Sequence, residues 1–280
     1  MLKDFFNLNS PFETFDSENF LAHLLTSKHI CNVLYKPDGL VDQKIRNVVF
    51  ENVSFSKTTI ERVTFNDCTF NDCLFIGTEF SSVEFHDCKF FCCNFYKAKF
   101  SDVYAKPGQF RHAINDKKYS NIAVSLYQQL RENYYKESQR EFKNEAEYFF
   151  GHWRRRNNLV QAKRKGKRWY EYFPSFAISS IYGYLLGYGY RLRNLIATTF
   201  LIIVATVVTN FYFAEYLFSS AIEPSVLKTL YFTITTMATL GASGYTPDTD
   251  IGYMFIVVNV CIGISIFSAT ISAIFKKVIR

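Results

Sequence analysis

Residues 48–100 read VVFENVSFSKTTIERVTFNDCTFNDCLFIGTEFSSVEFHDCKFFCCNFYKAKF, and a period of five runs through the whole stretch. From Phe50 to Phe100 every fifth residue is large and apolar, and all of these except Ile60 are phenylalanine. Two residues before each of them stands a small or β-branched residue, from Val48 to Ala98. A period of five fits neither the helical period of about 3.6 nor the strand period of two, so the chain must turn at every repeat to keep both sets inside.

This pattern resembles the pentapeptide-repeat family, whose chains wind a right-handed, four-sided β-helix with four pentads to a coil. The resemblance implies that residues 20 apart stack at about the 4.8 Å spacing of neighbouring strands. Phe50, Phe70 and Phe90 would then form one aromatic ladder inside the cylinder. Eleven or twelve pentads supply about three coils.

The seven cysteines of the chain first suggest a metal or redox framework, but most of those in the repeat follow its register. Cys68 would lie beneath Cys88, and Cys73 beneath Cys93, as small apolar side chains in a tight interior. A metal needs ligands that converge on one point at about 2.3 Å, which a ladder does not offer. We therefore predict no metal site and no disulfide, and within the repeat only Cys92 falls outside the inward register.

Some pentapeptide-repeat proteins imitate duplex DNA, and such a mimic needs a strongly acidic surface. Between Ile45 and Val103 the chain has eight Asp or Glu and six Lys or Arg, which is nearly balanced. The charge pattern therefore argues against DNA mimicry.

Two uncharged apolar runs dominate the C-terminal third, Asn194 to Ala214 and Ile251 to Phe275. Each is long enough to cross roughly 30 Å of hydrocarbon as a helix. The alternative is a pair of buried helices in a soluble protein, but such helices usually keep a polar face, and these runs have only Ser, Thr, Asn, Gly and similar interruptions. We predict two transmembrane helices.

The charges beside these runs predict their orientation. Basic residues precede the first run and follow the second. Apart from the basic segment at 154–168, which is described below, they are Arg191, Arg193, Lys276, Lys277 and Arg280. The connection between the runs has Glu215, Glu223, Asp248 and Asp250 against a single Lys228. By the positive-inside rule, both termini are expected in the cytoplasm. The charged residues 1–20 lack the apolar stretch of a secretory signal, and we expect a multi-pass protein of the cell membrane, the inner membrane of a bacterium.

Between the repeat and the first run, the sequence predicts helices followed by a basic segment. Ile122, Leu126, Leu130 and Tyr134 recur four apart, and a second helical stretch covers about 137–153. The basic residues are Arg154, Arg155, Arg156, Lys163, Arg164, Lys165, Lys167 and Arg168. Next to an aromatic stretch and a transmembrane run, they favour contact with anionic lipid headgroups over nucleic acid.

The connection between the two runs contains a short helix and a threonine-rich turn. Residues 224–237 begin with Pro and extend for about three turns, too short to cross a membrane. Such a segment is tolerated at membrane depth only inside protein or beside a water-filled cavity. The following TTMATLGASGYTP, residues 235–247, resembles the pore helix and selectivity filter of two-transmembrane potassium channels, TTxTTVGYGDxxP. The stretch Leu186 to Arg191, LGYGYR, also looks like the lead-in of bacterial pentapeptide-repeat channel proteins.

The resemblance implies a homotetramer around one pore, with no cofactor other than the permeant potassium or sodium ions. The filter residues would be Thr239, Leu240, Gly241, Ala242, Ser243 and Gly244. Backbone carbonyls there would replace the water around a dehydrated cation, and Asp248 and Asp250 would concentrate cations at the outer mouth. Gly263 would be the hinge of the inner helix, with Phe267, Ile271 or Phe275 as a hydrophobic gate.

The sequence departs from the family in the filter, where Gly-Tyr-Gly-Asp aligns with residues 241–244, Gly-Ala-Ser-Gly. Ala242 lacks the ring that braces the filter, and Ser243 resists a left-handed backbone at a cost of roughly 1 to 2 kcal/mol. We therefore predict a cation channel that is weakly selective among monovalent ions. The rival hypothesis is a non-conducting, membrane-anchored pentapeptide-repeat scaffold or partner-binding protein, in which Gly241 and Gly244 make a simple turn.

These patterns predict an α-helical channel domain joined to a cytoplasmic β-helix. The expected segments are an N-terminal cap (1–44), the β-helix (45–104), a helical linker (105–172), an interfacial helix (173–193) and the pore domain (194–280). Within the last we expect spans at 194–216 and 251–275, a pore helix at 224–237 and a filter at 238–244. The β-helix would assemble the tetramer or respond to an unknown cytoplasmic ligand or protein. No histidine spacing or phosphate-binding loop indicates an enzyme.

Overall fold

A computed structural model describes residues 5–36, 39–136, 139–185, 187–190, 192–214, 225–241 and 246–278. The chain divides into two compact units, Met1–Ser179 and Ser180–Arg280. The first unit contains the repeat and a helical hairpin, and the second contains the long apolar helices.

The repeat folds into short parallel strands. They are β1 (Glu13–Phe15), β2 (His29–Tyr35), β3 (Gly39–Val41), β4 (Lys44–Arg46), β5 (Val49–Ser54), β6 (Thr59–Glu61), β7 (Thr64–Asn66), β8 (Thr69–Asn71), β9 (Glu79–Ser81), β10 (Glu84–His86), β11 (Lys89–Phe91), β12 (Lys99–Ser101) and β13 (Tyr104–Ala105). Three parallel ladders run β1-β2-β5-β8-β11, β3-β6-β9-β12 and β4-β7-β10-β13. A fourth side has the bridges Ser54 to Leu74 and Leu74 to Asn94. The predicted four-sided β-helix is confirmed.

The interior of the β-helix consists of stacked phenylalanine rings. The rings of Phe50 and Phe70 are 4.9 Å apart and nearly parallel, and those of Phe70 and Phe90 repeat this distance. The stack of Phe55, Phe75 and Phe95 has the same arrangement on the next side. Each buried ring contributes roughly 1.5 to 3 kcal/mol of transfer free energy, so the ladders are the main source of stability in this unit.

The corners of the β-helix also recur every five residues. A residue with positive φ stands at each corner, for example Asp67, Asp72, Gly77 and Asp87, with φ of 51°, 53°, 66° and 50°. Asp, Asn and Gly adopt this left-handed conformation at the lowest cost, because their side chains are absent or bond locally. The Asn and Asp residues two positions after the rings are therefore turn residues.

The β-helix begins earlier than predicted, because residues 1–44 include the strands β2 and β3 of the ladders and the first residue of β4. The period of five extends back through Ile30, Tyr35, Leu40 and Ile45, all of which are buried. These aliphatic and tyrosine side chains fill the same inward positions as the phenylalanines. The described strands therefore include one coil more than predicted.

The capping role predicted for the N-terminal segment falls to α1 (Ser17–Thr26), which covers the first coil. Its Phe20 is fully buried and stacks on Phe50 with 6.4 Å between ring centroids. The side chain of Asp16 accepts a hydrogen bond from Asn19 N–H and caps the start of the helix.

The cysteines of the repeat occupy the predicted interior positions. Cys68, Cys73, Cys88 and Cys93 are buried, and the Cys93 Sγ lies 3.3 Å from the carbonyl of Phe70. Burial raises the pKa of the Cys93 thiol well above its ordinary value. Cys92 is half-buried near Asn115, while Cys31 on β2 is exposed.

A helical hairpin closes the other end of the β-helix. The 3₁₀ helix Pro107–His112 places Phe110 on Phe90, with 4.6 Å between the rings. From α2 (Ser120–Lys136), the Asn133 amide accepts from Val103 N–H at 2.9 Å and donates to Val103 C=O at 2.8 Å. These bonds satisfy backbone groups of the last coil that have no further strand to pair with.

The hairpin packs α2 against α3 (Arg140–Arg164) through apolar and aromatic side chains. The predicted stripe of Ile122, Leu126, Leu130 and Tyr134 is buried. Tyr127 stacks on Phe149 at 5.0 Å. Helix α3 continues beyond the predicted 137–153 and includes the first part of the basic segment.

The second unit contains the apolar helices, and α4 (Trp169–Leu185) crosses the boundary into it. Helices α5 (Leu192–Tyr212), α6 (Val226–Met237) and α7 (Asp250–Val278) follow. The predicted interfacial helix over 173–193 is instead α4 and a 3₁₀ turn at Gly187–Gly189. The helix stops because Gly187 and Tyr188 have φ of 54° and 55°, which is incompatible with a right-handed helix.

Two of the described helices are long and apolar enough to span a membrane, at Arg193–Tyr212 of α5 and Asp250–Ser272 of α7. Both leave large apolar side chains exposed, among them Phe200, Met254 and Phe267. An exposed apolar surface of this extent suits lipid and not water. The second unit is therefore a membrane domain.

Candidate functional site

The candidate site lies where α6 ends between the two membrane-spanning helices. Helix α6 has 12 residues, so it rises about 18 Å and cannot cross the bilayer. Thr229, Phe232, Thr233, Thr235 and Thr236 form its buried face. The structure describes this helix from Val226, and the predicted start at Pro224 lies outside the described residues.

The turn after α6 reverses the handedness of the backbone. Thr239 has φ of 60° and Gly241 has φ of 64°, whereas Leu240 between them does not lie in this region. The N–H of Thr239 donates to the Thr236 carbonyl at 3.0 Å, and the N–H of Leu240 donates to the Thr235 carbonyl at 2.9 Å. This pair of bonds is the Schellman ending of a helix, in which the left-handed residue is usually glycine.

A threonine at that position is strained. A β-branched residue in the left-handed region costs about 1–2 kcal/mol, and residues held in such conformations cluster at functional sites. The hydroxyl of Thr239 donates to the carbonyl of Ala238 at 2.7 Å. The described filter residues Thr239, Leu240 and Gly241 are exposed in the single chain. Ala242, Ser243 and Gly244 lie outside the described residues.

Three buried polar side chains connect α6 to both spanning helices. Asn210 of α5 donates from Nδ2 to the Thr233 Oγ1 at 2.7 Å. Asn259 of α7 donates from Nδ2 to the Asn210 Oδ1 at 3.1 Å. In the sequence these asparagines stand as single polar interruptions of apolar runs. Their position inside a membrane helix was the signal that could have identified them.

Gly263 lies at the closest approach of α7 to α6. A Cβ at Gly263 would lie 2.1 Å from the Met237 carbonyl oxygen and 2.6 Å from its Cα. Helix α7 continues without a break from Asp250 to Val278. The structure thus gives Gly263 a packing role, and its role as a hinge stays a prediction.

The predicted gate residues lie on the cytoplasm-directed half of α7 in the expected topology. Phe267, Ile271 and Phe275 follow one another at intervals of four and are exposed in the single chain. A groove of about 380 Å³ extends from Thr239 past Gly263 to Phe267. Thr239 of the predicted filter and Phe267 of the predicted gate therefore border one apolar space.

The acidic residues of the predicted outer mouth begin α7. Asp248 and Asp250 are exposed, and the Thr249 Oγ1 caps the helix by accepting from Gly252 N–H at 3.0 Å. Because Asp250 is in the first turn, the helix dipole already stabilises its negative charge. The role of Asp248 and Asp250 in concentrating cations stays a prediction.

The basic segment forms the end of α3 and the turn to α4. Arg154, Lys163, Arg164, Lys165, Lys167 and Arg168 are exposed, and Arg156 is half-buried. Arg155 is 6% exposed and its guanidinium faces the Phe176 ring at 5.8 Å. The i,i+1 neighbours of an α-helix point in different directions, and Arg155 points into the α3–α4 contact. This burial disfavours headgroup contact for Arg155, and the headgroup contact of the basic segment stays a prediction.

In the described part of the chain, no three His, Cys, Asp or Glu side chains lie close enough together to hold a metal ion.

Comparison with family models gives two matches. Residues 195–280, which include α6 and α7, match the family described as Ion channel. Residues 68–104 match Pentapeptide repeats in eight copies. The first match falls within the membrane domain and the second within the β-helix, and each covers less than half of the chain. No curated protein matches the chain.

Proposed function

We propose that this chain is one subunit of a homotetrameric cation channel that is weakly selective among monovalent ions. The observation that carries the proposal is the pair of left-handed residues, Thr239 and Gly241, directly after the short helix α6. Strain of this kind at the end of a re-entrant helix has a functional explanation in a filter, where backbone direction must be fixed.

In this proposal the backbone carbonyls after α6 coordinate the ion. The N–H groups of Thr239 and Leu240 bond back to the helix and fix the direction of the turn. The carbonyl oxygens of these two residues would then coordinate the cation. Four copies around an axis would supply rings of such oxygens in place of water. The C-terminal ends of four α6 helices would direct their negative dipoles toward the ion below the filter.

Weak selectivity follows from the residues that stand in the filter. Ala242 has no ring to brace the filter against α6, and Ser243 disfavours the left-handed backbone that glycine adopts freely. Fewer well-formed carbonyl sites would survive than in a filter of the potassium type. Discrimination between potassium and sodium would then be small.

The remaining parts of the proposal concern location and control. The charge distribution favours cytoplasmic termini in a bacterial inner membrane, with Asp248 and Asp250 at the outer mouth. The exposed basic residues of α3 and the following turn would bind anionic headgroups. The β-helix would assemble the tetramer or respond to a cytoplasmic ligand or protein.

The proposal is tested by cation flux through liposomes that contain the purified full-length protein. We expect potassium and sodium to pass at similar rates and a large organic cation to be excluded. Strong preference for potassium would contradict weak selectivity. Absence of flux from correctly folded protein would overturn the channel and favour a membrane-anchored scaffold.

Gly241→Ala and Gly166→Ala provide a matched pair for this assay. Both glycines have positive φ, 64° and 68°, and an added Cβ would meet nothing within 4 Å at either. The backbone strain is thus similar, but Gly166 lies in the turn after α3. We expect Gly241→Ala to reduce flux strongly and Gly166→Ala to leave it unchanged.

A further inference from the structure

Three polar side chains from three different helices meet inside the membrane domain. Asn210 of α5, Thr233 of α6 and Asn259 of α7 are 1%, 0% and 2% exposed. A polar group in such surroundings is costly unless it is hydrogen-bonded, and polar residues within spanning helices usually serve function. Besides satisfying each buried polar group, the hydrogen bonds between these side chains link three different helices.

The hydrogen bonds of these residues run in one direction. The Thr233 hydroxyl donates to the Thr229 carbonyl at 2.8 Å, so its oxygen is left to accept from Asn210. Asn210 therefore turns its amide nitrogen to Thr233 and its oxygen to Asn259, which must donate. The Thr233 bond to its own helix thus sets which atom of Asn210 donates and which accepts. Donation runs in one direction, from α7 through α5 to α6.

This chain of bonds ends close to the filter. Two and three residues after Thr233, the carbonyls of Thr235 and Thr236 accept the N–H groups of Leu240 and Thr239. Because α6 is a continuous helix, a displacement at Thr233 moves these carbonyls and the turn that they hold. The position of α7 at Asn259 is thereby linked to the backbone of the filter.

Gly263 gives a second point of contact one turn further along α7. There the inner helix lies against the Met237 backbone, four residues after Thr233 on α6. The indirect connection through Asn210 and the direct contact at Gly263 lie one turn apart on both helices, and together they restrict sliding and tilting of α7 against α6. A movement of α7 must therefore carry α6 along or break the hydrogen bonds.

We propose that Asn210, Thr233 and Asn259 are positioning residues that couple the position of α7 to the filter and hold it in the conducting arrangement. The inference rests on the proposed channel function and adds a route by which the inner helix controls conduction at the filter. Loss of the relay would shorten the open periods of the channel without changing its assembly.

The test is single-channel recording of full-length protein in planar bilayers. Thr233→Val removes the hydroxyl at nearly constant shape, and Asn259→Leu removes the donor at the other end. Each is expected to shorten the mean open time about threefold or more, as for loss of one interhelical hydrogen bond in a membrane. Thr233→Ser keeps the hydroxyl and is expected to behave as the wild type.

Two controls separate this role from general loosening. Thr206→Val removes another buried hydroxyl of the membrane domain, one that bonds to Ile202 O of its own helix at 2.8 Å. It is expected to leave the open time unchanged. The double variant of Thr233→Val and Asn259→Leu should be no worse than the stronger single variant, because both interrupt one chain of bonds.

The outcomes distinguish this inference from the proposed function. A silent wild type overturns both. A conducting wild type with normal open times in Thr233→Val overturns the relay alone, as does a Thr206→Val variant that is impaired equally. Additive effects in the double variant also overturn the relay. If Asn259→Leu does not assemble, the comparison of Thr233→Val with Thr233→Ser decides.

Discussion

Replacement of Gly263 by alanine should separate α7 from the end of α6. The new Cβ would lie 2.1 Å from the Met237 carbonyl oxygen and 2.7 Å from its carbonyl carbon, both backbone atoms of a helix. To restore an ordinary contact, one helix must retreat by about 1 Å or more. Overpacking of this kind destabilises a protein by about 1–3 kcal/mol. The higher helix propensity of alanine compared with glycine offsets about 1 kcal/mol of that destabilisation.

The expected result for Gly263→Ala is a lower midpoint of thermal unfolding together with reduced cation flux in liposomes. Ser268→Thr serves as the control, since it adds one methyl group at an exposed position of the same helix and should change neither quantity. Both measurements are made on purified full-length protein, with the oligomeric mass checked by gel filtration.

A hinge at Gly263 would give a different result. Alanine would then stiffen α7, raise or preserve the unfolding midpoint and affect only the opening of the channel. A Gly263→Ala protein at least as heat-stable as the wild type would therefore refute the close-packing argument. It would restore the hinge as the better explanation.

Four further predictions concern other parts of the chain. A thiol reagent should quickly modify exposed Cys31 of the native protein, as followed by intact mass. It should reach the buried cysteines of the repeat only in denaturant, and these are Cys68, Cys73, Cys88 and Cys93. Phe70→Ala should lower stability by about 3–5 kcal/mol in denaturant melts, whereas outward-facing Phe91→Ala should change it little. Asn133→Leu should cost about 1–3 kcal/mol for each backbone group of the last coil that it leaves unpaired, and an unchanged melt would contradict its capping role. Thr239→Gly should relieve about 1–2 kcal/mol of strain and raise the unfolding midpoint while it lowers flux, because the hydroxyl is lost; equal flux would argue against a filter role.

The β-helix was predictable because its period is local and strict. From Phe50 to Phe100 the large apolar residues stand five apart, and the 20-residue register of stacked strands follows from that period. The strictness of this phenylalanine pattern also explains why the first coil of the β-helix was not predicted. Ile30, Tyr35 and Leu40 are in register, but they differ in chemistry from the phenylalanines that defined the pattern.

The ends of the β-helix were less accessible to sequence reasoning. Asn133 pairs with Val103, and Phe110 continues the stack of Phe90. Both contacts depend on where the chain returns after the last coil, which the local sequence does not indicate. Arg155 illustrates the same limit, because composition marks it as one of eight basic residues and only the packing of α3 against α4 buries it.

In the membrane domain, the sequence indicated the short helix and the turn but not what fixes them. Asn210 and Asn259 are 49 residues apart and each is a single polar residue in an apolar helix. Only the folded chain brings Asn259 to Asn210 and Asn210 to Thr233, so that donation runs in one direction through the three side chains. The strained Thr239 lies six residues further along. Since a strained turn persists only where its surroundings hold it, the proposed relay through the buried asparagines would also support the left-handed turn at Thr239.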